Sequence, residues 1–122
     1  MTSYSQHDGG PKLVLAAGIR TPMAKAGGVF AKENVAHLAA ITTRELLAQT
    51  GLPPETINEV VTGCVGQPFD QANVSRVIAL RSGIPREVPA RTVARNCASG
   101  MEAVTTAAAN ILAGMGDTYI CN

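Results

Sequence analysis

The sequence predicts an α/β domain, a mostly parallel sheet with helices on both faces. Three observations lead there. Short strand-like runs at residues 12–17, 59–62, 87–95 and 117–121 alternate with three longer stretches of helical character. Glycine or proline punctuates the junctions, at Gly18, Gly51, Pro53, Gly63, Gly83, Pro85 and Gly114. The last helical stretch, Ala98 to Ala113, carries scarcely any charge, so it is expected to be buried all round. Strands separated by helices imply right-handed crossovers and parallel pairing.

Composition bounds the function. A chain of 122 residues suits one domain. Hydrophobic residues make up 46% and aromatics only 3%, with no Trp, so the core must be aliphatic and alanine-rich. A net charge of +1 gives no electrostatic case for nucleic acid or a membrane surface as partner. No apolar run approaches the roughly 20 residues that span a bilayer. Residues 1–10 have neither the basic region nor the apolar core of a secretory signal, and no Arg of a transit peptide. Cys64, Cys97 and Cys121 are odd in number and widely spaced, which fits reduced thiols better than disulfides or a metal site. The expectation is a cytoplasmic globular chain.

Taken in order, residues 1–10 are expected to be a disordered leader and residues 11–122 the domain. Lys12 to Ala17 is a short apolar run consistent with a buried strand, and Arg20-Thr21-Pro22 turns the chain. Gly27 and Gly28 lack the Lys and Ser or Thr of a phosphate loop, so a plain loop is expected. Asn34 suits an N-cap for a helix whose Val35, Leu38, Ala39, Thr42 and Leu46 form one apolar face, stopped by Gly51 and Pro53. His37 is expected on that helix's surface. Pro53 to Asn58 suits one helical turn, and Glu59 to Thr62 a second strand closed by Gly63. Asp70 to Ser82 suits a second helix with Val74, Val77 and Ile78 inward and Arg76 and Arg81 solvated. Glu87 to Arg95 is the third strand. Its alternation sets Arg91, Val93 and Arg95 against Ala90, Thr92 and Ala94, and Pro89 with two Arg marks a sheet edge. Asp117 to Cys121 begins a fourth strand in which the sequence stops, so the domain is expected to be truncated there.

One residue in this frame carries chemistry. Cys97 lies where the third strand turns into the uncharged helix, and a helix N-terminus favours a negative charge such as a thiolate. The alternative is a small buried core cysteine. Ser99 and Gly100 are expected to leave room for a bulky acyl group to approach the sulfur.

Asn96-Cys97-Ala98-Ser99-Gly100-Met101-Glu102-Ala103 resembles the nucleophile segment of the thiolases. Leu13 to Pro22 resembles their opening strand and Arg-Thr-Pro turn, and Glu59 to Gln67 their second strand and its loop. Asn73-Val74-Ser75-Arg76, Gly83-Ile84-Pro85 and Val88-Pro89-Ala90 resemble the next helix, its stop and the third strand. The resemblance implies a thiolase-like N-terminal half and an acyl-CoA:acetyl-CoA C-acyltransferase. Cys97 would take the acyl group as a thioester, and its backbone N–H would serve as an oxyanion donor. Coenzyme A and acyl-CoA are implied as substrates, with no permanently bound cofactor and no metal. A homo-oligomer joined through Glu87 to Arg95 is implied as well. The histidine base, the second cysteine and the CoA-binding loop of thiolases belong to later segments that these 122 residues lack. The chain alone is therefore expected to be inactive. Val74 after Asn73 leans toward the degradative, long-chain group. A non-catalytic interacting half and a ketoacyl-synthase-like enzyme are the alternatives, the latter disfavoured by Arg20-Thr21-Pro22.

Overall fold

β1 (Glu59–Gly63) is the middle of a three-stranded parallel sheet, with β2 (Ala90–Val93) on one side and β3 (Tyr119–Cys121) on the other. The computed structural model describes residues 13–122, so the leader, Pro11 and Lys12 lie outside the described residues. Three helices complete the order: α1 (Val35–Thr50) before β1, α2 (Val74–Arg81) between β1 and β2, and α3 (Ser99–Leu112) between β2 and β3. A single 3-10 turn, Pro54–Thr56, precedes β1, with Pro where no donor is needed. β2 lies at an edge of this sheet, as Pro89 just before it and Arg91 within it predict.

The alternation of β1 places a helix on each face of the sheet. Val60 and Thr62 point toward α2, where Thr62 Oγ1 donates to Ser75 Oγ at 3.0 Å and Ser75 Oγ donates to the Val60 carbonyl at 3.0 Å. Val60 joins Leu47, Ile57, Ala79, Ile84, Val88 and Ile120 in the main core. Each fully buried aliphatic side chain there contributes about 1.5–3 kcal/mol. Glu59 and Gly63 point the other way, to α3. Asn110 Nδ2 donates to Glu59 Oε2 at 3.2 Å, and Gly63 lies under Ser99 and Gly100. Register carries the alternation to β2, pairing Val61 with Arg91 and Thr62 with Thr92.

Asn34 caps α1 by accepting from the Ala36 N–H at 2.8 Å, and Gly51 ends it at φ 66. The buried face differs from the expected one. Ala36, Ala40, Thr43 and Leu47 are buried, one position further round than Val35, Leu38, Ala39, Thr42 and Leu46. Small side chains let the two helices approach closely, and Ala36 clusters with Val74 and Ile78 of α2. The expected face instead lines an open groove with Ile19, Arg20, Thr21, Cys121 and Asn122.

Four other expectations are corrected. Residues 13–17 form no strand, and Val14 and Leu15 are more than three-quarters exposed. An apolar run becomes a strand only where a neighbour pairs its N–H and C=O groups, and no described strand does so. α2 starts at Val74 rather than Asp70, because Asn73 accepts from the Arg76 N–H and fixes the start. Arg76 is not free in solvent: its guanidinium donates to the Val88 carbonyl at 2.9 Å and the Arg86 carbonyl at 2.7 Å. α3 is buried on one side only, through Ser99, Ala103 and Ala107, while Met101, Thr105, Ala109 and Leu112 are exposed. Its missing charge therefore marks an uncovered apolar face in this chain.

Candidate active site

The strand-to-helix elbow is built by four residues. After β2 the chain passes Arg95, turns at Asn96 and Cys97, and enters α3 at Ser99. Asn96 has φ 45, the left-handed region that disfavours residues with a Cβ, and it is the one non-glycine there among the described residues. Ser99 Oγ accepts from the Arg95 N–H at 2.8 Å and donates to the Asn96 carbonyl at 2.7 Å. Across the outside of the turn, Arg95 Nη1 meets Glu102 Oε2 at 2.9 Å. Glu102 sits in the first turn of α3, where an acidic side chain complements the helix dipole.

Cys97 is exposed at the tip of this elbow rather than buried in the core. The backbone N–H groups of Gly100 and Met101, in the first turn of α3, have no acceptor among the described residues. Gly100 is open, with nothing near a built Cβ, in keeping with access to the sulfur. Ser99 is not part of that opening. It is buried, and its hydroxyl is taken up within the turn.

Gly63 explains how α3 comes so close to the sheet. A Cβ built on Gly63 would overlap the Ser99 carbonyl and stand 2.6 Å from the Gly100 nitrogen. Both are backbone atoms, so the start of α3 rests directly on β1. Local pattern marks Gly63 only as a strand terminator. Its steric role needs the contact with Ser99, which no local pattern carries.

The remaining candidates fall elsewhere. His37 is on the α1 surface and pairs with Glu33 at 3.8 Å, with no bond to Cys97. Cys64 donates its backbone N–H to Val93. Cys121 is half-buried against α3, and burial pushes its thiol above the ordinary 9.0. Asn73-Val74-Ser75-Arg76 proves to be a clamp: Asn73 bonds Ala90 and Thr92, and Ser75 bonds Val60 and Thr92. Neither the open groove beside Ile57, Pro85 and Val88 nor the one beside Val35, Leu38 and Thr42 includes Cys97. No helix among the described residues is long and apolar enough to cross a membrane.

Fold and site together define the class as an α/β domain with an exposed cysteine at a strand-to-helix elbow. Comparison with known proteins narrows the class. The family description "Thiolase, N-terminal domain" matches residues 13–122. The chain is 43% identical over 111 residues to a 3-ketoacyl-CoA thiolase of Chromohalobacter salexigens, covering 88% of this chain and 28% of that protein. It is 38% identical over 109 residues to a probable acetyl-CoA acyltransferase of Staphylococcus aureus, covering 89% and 28%. The crystal structure of the Bacillus anthracis acetyl-CoA acetyltransferase superposes with a TM-score of 0.81 at 32% identity, covering 85% of this chain and 26% of that one. That of human mitochondrial 3-ketoacyl-CoA thiolase in complex with CoA gives 0.80 at 30% identity, covering 84% and 26%. The chain belongs to the thiolase family and matches its N-terminal domain. It spans roughly a quarter of the length of these relatives.

Proposed function

We propose that this chain is the nucleophile-bearing part of an acyl-CoA:acetyl-CoA C-acyltransferase, with Cys97 as the acyl acceptor. The observation that carries the reading is the exposed Cys97 at the elbow of a domain that the thiolase family matches along its described length. The sulfur, as thiolate, attacks the keto carbon of a 3-ketoacyl-CoA, and the bond between that carbon and its alpha carbon breaks. The alpha carbon leaves as the enolate of acetyl-CoA and takes up a proton, while the shortened acyl group stays on Cys97 as a thioester. The thiol of a second CoA then attacks the thioester, loses its proton and releases Cys97 as thiolate. Each attack builds charge on a carbonyl oxygen, and the reading gives the Cys97 backbone N–H the role of donor to it. One such donor is typically worth a rate factor of about 10²–10³. Coenzyme A and acyl-CoA are substrates, and the reading needs no bound cofactor or metal.

Turnover requires a base for Cys97 and a proton donor for the enolate. His37, paired with Glu33, supplies neither. The rest of the enzyme, beyond the quarter represented here, is to supply them. The edge strand β2, within Glu87 to Arg95, is the side through which two copies of the complete enzyme would join, in the cytoplasm. A second reading is a non-catalytic interacting half, and the uncovered apolar face of α3 favours it.

The two readings part in one experiment. The purified chain is mixed with acetyl-CoA and analysed by intact and peptide mass spectrometry beside Cys97→Ser. The expected result is an acetyl adduct confined to Cys97, without multiple turnover. No adduct, or one spread equally over Cys64 and Cys121, overturns the assignment and leaves the interacting half.

A further inference from the structure

We infer that Ser99 is the positioning residue for Cys97, holding the elbow in the shape that presents the sulfur. This rests on Cys97 being the nucleophile. The Cys97 side chain makes no hydrogen bond among the described residues, so only the backbone on either side fixes its sulfur. That backbone is pinned at both ends by one hydroxyl, since Ser99 Oγ bonds the Arg95 N–H before Cys97 and the Asn96 carbonyl beside it. The hydroxyl is 4% exposed as part of its residue, so water does not readily replace it. Two backbone bonds close the same turn, from the Ala98 N–H to the Arg95 carbonyl at 2.9 Å and from the Ser99 N–H to the Asn96 carbonyl at 3.1 Å, and the hydroxyl adds to them the tie to the Arg95 N–H. Arg95 and Glu102 also bridge the turn, but the Arg95 side chain is 68% exposed and holds it loosely.

The turn needs holding because Asn96 is left-handed at φ 45. Asparagine tolerates that region better than most residues, and glycine enters it without steric cost. Ser99 and Asn96 therefore form one device: the hydroxyl closes a turn that Asn96 adopts reluctantly. With the hydroxyl gone, Asn96 relaxes toward negative φ and carries Cys97 away from the start of α3.

The test is alkylation of the 122-residue chain by iodoacetamide, read as the Cys97-to-Cys64 labelling ratio by peptide mass spectrometry. Ser99→Ala is expected to lower the ratio about fivefold, the size of one net hydrogen bond. Adding Asn96→Gly is expected to bring the ratio back to within about twofold of the parent, because glycine holds φ above zero unaided. A loss of packing at Ser99 would not be repaired by that second change. An unchanged ratio in Ser99→Ala, or a lowered one that Asn96→Gly fails to restore, overturns the inference. If Ser99→Ala does not fold by circular dichroism, Asn96→Ala replaces it and is expected to lower the ratio likewise, with no change again overturning it. The measurement uses no acyl-CoA. A missing acetyl adduct would sink the nucleophile reading without altering this ratio, so the two failures are distinguishable.

Discussion

Gly63→Ala adds one methyl group where α3 meets β1, and its cost follows from the atoms it meets. The new Cβ would overlap the Ser99 carbonyl and approach the Gly100 nitrogen at 2.6 Å. Neither is the mobile end of a side chain, so relief requires the start of α3 to lift from the sheet. Overpacking of this kind costs about 1–3 kcal/mol. Against it, alanine restricts the unfolded chain more than glycine, a gain of about 0.4–1 kcal/mol, and Gly63 has no positive φ to oppose the exchange. The net expectation is a loss of about 1–2 kcal/mol. Gly66→Ala is the matched control, since a Cβ there has nothing within 4 Å. It is expected to stay within about 0.5 kcal/mol of the parent. Urea unfolding followed by circular dichroism reads both, as a lower midpoint with an unchanged slope for Gly63→Ala. Equal midpoints for the two variants would refute the contact and the argument that glycine is what lets α3 rest on β1.

Two further expectations concern ionisable groups. Glu59 accepts two bonds of 2.7 Å from Arg91, and its side chain is 12% exposed against 43% for Arg91. Removing the exposed partner leaves a buried carboxylate with Asn110 as its side-chain donor and no counter-charge, whereas removing the buried one leaves an arginine that water reaches. Arg91→Met is therefore expected to destabilise by about 2–4 kcal/mol and Glu59→Gln by about 1–2 kcal/mol. The opposite ranking in denaturant midpoints would contradict the burial asymmetry. Cys121 has its thiol pushed up by burial. The folded chain therefore holds that proton where the unfolded chain releases it, and the contribution is complete below the ordinary thiol value and lost as pH rises beyond it. Unfolding midpoints from pH 8 to pH 10 should fall more steeply for the parent than for Cys121→Ala. Parallel curves would argue against the burial.

What the sequence revealed divides by the range of the physics involved. The Asn34 cap, the Gly51 and Gly83 stops and the Arg91/Thr92 alternation are local geometry, and all appear in the structure. The position of Cys97 is local too, because strand, turn and helix follow one another directly. The buried face of α1 lies one position from its most hydrophobic stripe, since hydrophobicity ranks Val35 and Leu38 above Ala36 and Ala40, while close packing selects the smaller pair. The run at 13–17 has strand composition, but pairing is a property of the neighbour and not of the run. Its small size suggests that Ser99 is open space beside the sulfur, whereas its hydroxyl ties Arg95 to Asn96. The role of Gly63 depends on a residue more than thirty positions later, and absence of a side chain leaves no periodic trace.

The central place of β1 also sets an order of events in folding. Its neighbours are far along the chain: Asn58, just before β1, accepts from the Asp117 N–H across a separation of 59 residues, and Thr43 reaches Asn122 across 79. Helices α1 and α2 can meet on one face of β1 early, yet the strand stays open along one edge until residues 119–121 arrive. During synthesis, an emerging chain would thus carry Val60 and Val61 on a half-paired strand for much of its length. Such edges recruit other strands, and long-range pairing is slow to close. The same arrangement that shelters β1 between its neighbours leaves the nascent chain open to mispairing until β3 is delivered.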